Sequence, residues 1–168
     1  LTQDGITDRG LEIIGGFREL RRLNLSTTGV TNIGLPQLGR LKNLSTLNLN
    51  FTRLNDDGLK GLSPLENLTE LGLFGADISG NGIKELLRFK KLVALDLGSA
   101  RIVDRDLRTL GELSSLTSLN LALINVTETG VMELASLKNL KRLVLASAKI
   151  SPAGREMLTK TFPYIEFR

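Results

Sequence analysis

The chain has 168 residues, 41% of them apolar, with 22 Lys and Arg against 18 Asp and Glu for a net charge of +4. It contains neither Cys nor His, which excludes disulfides, Cys–His pairs and Ser–His–Asp triads and removes the commonest general base at neutral pH. No apolar run reaches the ~18 residues needed to cross a bilayer, and no basic start leads into the apolar stretch of a secretion signal.

Residues 1–19 take their register from the repeating pattern of residues 20–163. The stretch Leu20-Arg21-Arg22-Leu23-Asn24-Leu25 sets a pattern L-x-x-L-x-L. It returns at Leu44/Leu47/Leu49, Leu68/Leu71/Leu73, Leu92/Leu95/Leu97, Leu116/Leu119/Leu121 and Leu140/Leu143/Leu145. The spacing is 24 residues each time, without insertion. A fixed period of this length marks a solenoid, in which each unit buries its apolar side only against its neighbours. In the same register Leu1 stands 24 residues before Leu25, and Ile6, Gly10, Leu11, Ile14 and Phe17 stand 24 before Val30, Gly34, Leu35, Leu38 and Leu41. The expectation is a partial repeat over 1–19, opening at the end of its strand, with something N-terminal to Leu1 cut off or processed.

Residues 20–163 divide into six 24-residue repeats, each in two parts. In the first, Leu23 and Leu25 alternate with Arg22, Asn24 and Ser26, the period of a half-buried strand. Successive units run the same way, so the strands are parallel. In the second, apolar residues at 35, 38 and 41 step by three, which suits a short helix or a 3₁₀ turn. Thr7, Thr31, Asn55, Ser79, Thr127 and Ser151 precede this part as candidate caps. Pro152 fits the first helical position, whereas Pro36 predicts a helix that starts late or stays irregular. Gly10, Gly34, Gly58, Gly82, Gly130 and Gly154 recur in register, either to let coils pack closely or to take a positive φ. Asp106 breaks that series and predicts a local change of backbone. After the strand, Thr28 and Thr52 give way to Ala76, Ala100, Ile124 and Ala148, which neither donate nor accept. Backbone or water must take over their hydrogen bonds. Residues 164–168 read as a closing strand. Pro163 stops the last helix, Tyr164 and Phe167 fall 24 residues after Leu140 and Leu143, and the strand ends at Arg168. Phe162, Tyr164, Ile165 and Phe167 are expected to plug the open end of the core.

The full unit, L-x-x-L-x-L-x-x-T-x-V-T-x-x-G-L-x-x-L-x-x-L-x-N in Leu20 to Asn43, resembles the leucine-rich repeat. It is similar to the 24-residue repeats of bacterial leucine-rich repeat proteins and of F-box receptors, and the resemblance covers nearly the whole chain. It implies one α/β leucine-rich repeat solenoid over 1–168, a horseshoe with parallel strands on the concave face and short helices or 3₁₀ turns on the convex face. It also implies a non-catalytic module that binds a protein partner. Two other readings stay open. One is a substrate-recognition segment of a larger enzyme, such as a ubiquitin ligase or effector, with its catalytic part outside this chain. The other is a cell-surface glycan or adhesion module.

No catalytic constellation stands out, and no cofactor or metal is expected. The phosphate-loop pattern is missing, and Gly80-Asn81-Gly82 falls on the turn into a helix. Asp56-Asp57 and Asp104/Asp106 lack the convergent oxygens of a hard-metal site and suit a helix N-terminus. Asn-x-Ser/Thr triplets at Asn24, Asn43, Asn50, Asn67 and Asn125 follow from Asn and Ser/Thr recurring beside fixed repeat positions.

What remains is the strand face that Leu does not use. It runs Arg22, Asn24, Ser26, Thr27; Thr46, Asn48, Asn50, Phe51; Glu70, Gly72, Phe74, Gly75; Ala94, Asp96, Gly98, Ser99; Ser118, Asn120, Ala122, Leu123; Arg142, Val144, Ala146, Ser147. The candidate partner contacts are Arg22, Asn24, Thr46, Asn48, Asn50, Phe51, Glu70, Phe74, Asp96, Asn120 and Arg142. Charges here balance, Arg22 and Arg142 against Glu70 and Asp96. The net charge therefore sits on helices and turns, at Lys42, Lys60, Lys84, Lys90, Lys91 and Lys138. A basic groove with stacked aromatics is missing, so a nucleic acid partner is not expected. Phe17 and Phe89 stand in for framework Leu. Phe51 and Phe74 have no core duty and lie on adjacent strands, about one strand spacing (~5 Å) plus a one-residue offset apart. Either they form a hot spot rimmed by polar groups, or Phe51 folds over the turn edge and Phe74 fills the surface between Gly72 and Gly98.

Overall fold

The structure, a computed structural model, describes residues 5–146 and 148–167. The expectations placed on Leu1, Ser147 and Arg168 lie outside these. Seven short strands form one sheet in chain order among the described residues, every neighbouring pair parallel. They are β1 Arg22–Asn24, β2 Thr46–Asn48, β3 Glu70–Gly72, β4 Ala94–Asp96, β5 Ser118–Asn120, β6 Arg142–Val144 and β7 Ile165–Glu166. From β1 to β6 the register is the repeat itself, with Arg22 beside Thr46, Thr46 beside Glu70 and so on to Arg142. Helices α1 Asp8–Ile14, α2 Asp56–Gly61, α3 Gly80–Leu86, α4 Asp104–Leu110, α5 Glu128–Met132 and α6 Pro152–Thr161 return the chain along the other side. A 3₁₀ helix, Leu35–Arg40, takes this place in the first full repeat, and another, Glu133–Ser136, prolongs α5. Pro36 lies in the first turn of the 3₁₀ helix. The segment thus starts three residues later than α2 does in its own repeat, as a proline lacking an N–H requires.

The strands are short because the chain turns sharply after each one. Parallel pairing continues beyond the strand, with Leu25 N–H to Asn48 C=O at 2.8 Å and Thr27 N–H to Asn50 C=O at 2.9 Å. The next step is left-handed. Thr27, Phe51, Gly75, Ser99 and Leu123, spaced by 24, have φ of 57°, 56°, 71°, 62° and 60°. Positive φ therefore belongs to this turn and not to the Gly34 series. From Gly34 on, those glycines instead lie flat against the preceding coil. A Cβ on Gly34 would come within 2.8 Å of Asp8 Cα, and one on Gly130 within 2.7 Å of Asp104 Cα.

The Leu residues of the strands and the apolar residues of the helices fill one continuous core. Leu25, Leu47, Leu49, Leu73, Leu97, Leu119, Leu121, Leu35, Leu38 and Leu107 are fully buried. No buried side-chain nitrogen or oxygen among the described residues lacks a partner. The Thr-to-Ala change after the strand costs little for a backbone reason. Thr28 and Thr52 hydroxyls donate to Leu25 and Leu49 C=O at 2.6 and 2.7 Å. Ala76 and Ala100 keep the backbone bond alone, N–H to Leu73 and Leu97 C=O, both at 3.0 Å, a bond Thr52 N–H also makes, to Leu49 C=O, at 3.3 Å.

A polar ladder ties coil to coil at the helix N-termini. Asp8 accepts from Thr31 N–H and Oγ1 at 2.8 and 2.6 Å, and Asp104 does the same for Thr127. Asp56 serves Ser79 in the same way, and Glu128 accepts from Ser151 Oγ at 2.6 Å. Three residues break the ladder together. Gly80 stands where the acid is due, Val103 where the hydroxyl is due, and Asp106 where the glycine is due. Asp106 Oδ2 accepts from Val103 N–H within its own repeat, at 3.0 Å. Its carboxylate fills the space above Gly80, where a Cβ would lie 2.2 Å from Oδ1. This is the local change that the break in the glycine series predicts. Of the predicted caps, Asn55, Ser79 and Ser151 accept a helix N–H, while Thr7 and Thr127 do not. On the opposite edge Asn43, Asn67 and Asn139 amides donate to C=O of Arg18, Lys42 and Ser114 one coil back.

Two expectations at the ends need correcting. Phe17 is 60% exposed, unlike Leu41 and Phe89 at the same repeat position, because no coil among the described residues lies on its outer side. The closing strand is out of the 24-residue register: Ile165, not Phe167, stands beside Leu143. Helix α6 runs on to Thr161, and a tight turn closed by Ile165 N–H to Phe162 C=O at 3.1 Å leads straight into β7. Tyr164 consequently points out, 66% exposed, and does not plug the end. Phe162 is buried, Ile165 and Phe167 pack on the core, and the Arg155 guanidinium covers the Phe167 ring at 4.9 Å.

Candidate functional site

The concave face is the row of strand residues opposite the Leu residues, and much of its polarity first serves the fold. Asn24, Asn48, Asp96 and Asn120 each accept, through Oδ1, the N–H two residues on, at 3.0, 2.9, 3.0 and 3.0 Å. Each side chain thereby sets its strand for the left-handed step, as Asx turns do. Gly72 has no such oxygen. Asn50 supplies it from the neighbouring coil, accepting Phe74 N–H at 2.8 Å. The exchange needs glycine, since a Cβ at 72 would lie 2.7 Å from Asn50 Oδ1.

The aromatic pair follows from the same turn. Phe51 occupies the left-handed position, which turns it outward, 59% exposed. Its ring lies against Gly75, and the half-buried Phe74 ring lies over Gly98. The ring centroids are 5.1 Å apart at 48°. Leu123, one of the concave-row residues but not a predicted contact, shares the left-handed position of Phe51 and is 54% exposed. Only a φ above zero distinguishes it, and no residue type announces that.

A shallow groove of about 260 Å³ runs over β2 to β6. Thr46, Asn48, Asn50, Glu70, Asp96, Asn120 and Arg142 line it, over a floor that includes Gly72, Ala94 and Ser118. It brings together seven of the predicted contacts. Arg22, Asn24, Phe51 and Phe74 lie outside its lining. Arg142 is not free to balance the groove's acids. Its Nε donates to Glu166 Oε1 at 2.9 Å, and that bond, aided by Asp96 at longer range, raises the guanidinium pKa further. Glu166 carries no signal in the repeat pattern, because the shift of β7 is what brings it beside Val144.

A larger hollow, about 490 Å³, lies beside the helix N-termini and is lined by Asp57, Lys60, Asp77, Lys84 and Arg101 among others. Of these, Lys60 pairs with Asp57 at 2.6 Å and Arg101 with Asp77. Among the described residues no His, Cys, Asp or Glu cluster has the makings of a metal site. No helix among them is long and apolar enough to cross a membrane.

The geometry defines a class, a stack of 24-residue coils with a parallel sheet on one face. Residues 40–63 match the family model described as leucine-rich repeat. Solved structures share the architecture. An internalin (inlF) from Listeria monocytogenes matches with TM-score 0.71 and 22% identity over 94% of this chain and 50% of its own. An internalin C2 (inlC2) of the same organism matches with TM-score 0.71 and 23% identity over 98% and 77%. The plant peptide hormone receptor RGFR1, in complex with RGF2, matches with TM-score 0.56 and 23% identity over 83% and 22%. This chain thus spans half the length of the inlF structure. No protein with a curated description matches. The chain thus carries the leucine-rich repeat solenoid fold.

Proposed function

We propose that residues 1–168 act as one non-catalytic protein-interaction module whose partner docks on the concave strand face. The observation that supports this best is the groove over β2 to β6, edged by the Phe51–Phe74 pair. Exposed aromatic surface rimmed by polar groups is the composition of a binding hot spot. A plant receptor of the same fold is seen in complex with a peptide hormone, which supports a protein or peptide as partner. The test is crosslinking capture from the native host with the wild-type chain and a Phe51→Gly/Glu70→Arg variant of equal melting temperature. Both residues are exposed, and no described side-chain hydrogen bond to the turns depends on them. A partner captured by the wild type and lost by the variant is the expected result. A partner retained equally by both would move the site off this face.

A further inference from the structure

The concave face carries an imbalance that its residue count hides. Arg142 is held by Glu166, and Arg22 stands two strands from Glu70, ~10 Å away. Glu70 and Asp96 have no ion-pair partner among the described residues. They occupy neighbouring strands above small residues, Gly72, Ala94 and Gly98. Beside them the surface turns apolar. Phe51 and Leu123 both keep large side chains at left-handed positions and over half exposed. The turn imposes the positive φ on each coil from β1 to β5; what these two positions add is a large apolar side chain facing outward. Phe74 lies between them, resting on Gly98.

Resting on the concave-face reading, we propose that the occupant is an extended peptide segment of a partner protein. It sets a Lys or Arg side chain between Glu70 and Asp96 and an apolar side chain on the Phe51–Phe74 edge. Asp96 pairs with Gly72, two residues before Phe74. One strand spacing and two residues of rise place the two backbone positions about 8 Å apart. At ~3.3 Å per extended residue, the basic and apolar residues of the occupant stand two to four positions apart. The small floor lets a backbone approach closely, and the two carboxylates select its charge.

The experiment is selection of short random linear peptides on the whole chain, followed by affinity measurement on Glu70→Gln/Asp96→Asn and, separately, Phe51→Gly. Asparagine at 96 keeps the turn, because Asn24, Asn48 and Asn120 make the same bond, so the first variant removes charge and little else. Expected is a consensus pairing Lys or Arg with an aromatic or branched aliphatic residue. Its affinity falls about tenfold when both carboxylates are neutralised, from two charge pairs at the upper end of their usual worth, and falls as salt is raised. An acidic or uncharged consensus, weakened by Phe51→Gly alone, overturns the basic occupant and leaves the concave-face reading standing. Peptides indifferent to both variants overturn both. Failure to enrich any peptide overturns the linear occupant.

Discussion

The broken ladder at Gly80, Val103 and Asp106 makes a demanding prediction. Gly80→Asp restores the acid found at this position as Asp8, Asp56 and Asp104, and so looks harmless by repeat comparison. The structure says otherwise. Its Cβ would sit 2.2 Å from Asp106 Oδ1 and 2.6 Å from the carboxyl carbon. Either the Asp106 carboxylate moves, freeing a Val103 N–H that water still reaches, at about 1 kcal/mol, or the helices part, at about 1–3 kcal/mol for overpacking. Two carboxylates in contact add repulsion. Gly80→Asp should therefore cost about 2–4 kcal/mol. Asp106→Gly alone removes the acceptor from a partly solvated N–H and places glycine in a helix, at about 2 kcal/mol. The triple variant Gly80→Asp/Val103→Thr/Asp106→Gly installs the bonds seen at Asp104 and Thr127 and should return to within about 1 kcal/mol of wild type. Urea unfolding of the series measures this, with the slope confirming an unchanged fold. Strict additivity of Gly80→Asp and Asp106→Gly, or a triple variant less stable than either single one, would refute the reasoning.

Leu95→Asp buries an unpaired charge at a site 3% exposed, at about 4 kcal/mol or more. Amide exchange should show the flanking strands losing protection together, and an unchanged melting temperature would contradict the register. Gly75→Ala puts a side chain at φ 71° and 2.9 Å from the Phe51 ring; it should cost about 2 kcal/mol. Leu123→Gly, at the same turn position, should change stability by less than about 1 kcal/mol, the relief of strain offsetting the entropy of glycine. Glu128 has its pKa lowered below 4.5, chiefly by the Ser151 hydroxyl. A lowered carboxylate pKa contributes stability above that value and loses it as pH falls through the folded one. Ser151→Ala should be less stable than wild type at neutral pH, with the gap narrowing in acid but not closing, since Ser151 Oγ also caps Gly154 N–H at 3.0 Å. A gap that widened in acid would contradict this sign.

The 24-residue period carried the fold because one kind of contact repeats. Each Leu of L-x-x-L-x-L meets its own image in the next coil, so spacing alone yields parallel strands, their register and the core. The pattern misleads where a residue answers to something other than its image. Phe17 has the core's chemistry with no coil outside it among the described residues. Ile165 takes the strand position predicted for Phe167 because a tight turn shortens the last connection by two residues. The glycine series left close packing and positive φ both open, and the coils decide for close packing. The left-handed position falls on Thr, Phe, Gly, Ser and Leu in turn, so residue type conceals it.

The candidate site was legible as a row and illegible in its division of labour. Asn24, Asn48 and Asn120 look like partner contacts, yet each spends its carbonyl oxygen on the turn, leaving only the amide outward. Asp96 makes the same bond and retains its charge, which the fold does not require, since asparagine serves three other coils. Gly72 goes further, giving up the Asx oxygen and borrowing one from Asn50. Asparagine would serve the turn at 96; at 72 it would also have to displace the Asn50 side chain. What distinguishes the middle of this face is therefore what the turn does not need: the charge on Asp96, the carboxylate of Glu70, the bare floor at Gly72 and the ring of Phe51 held at positive φ. A surface selected only to stack would have kept the repeat there.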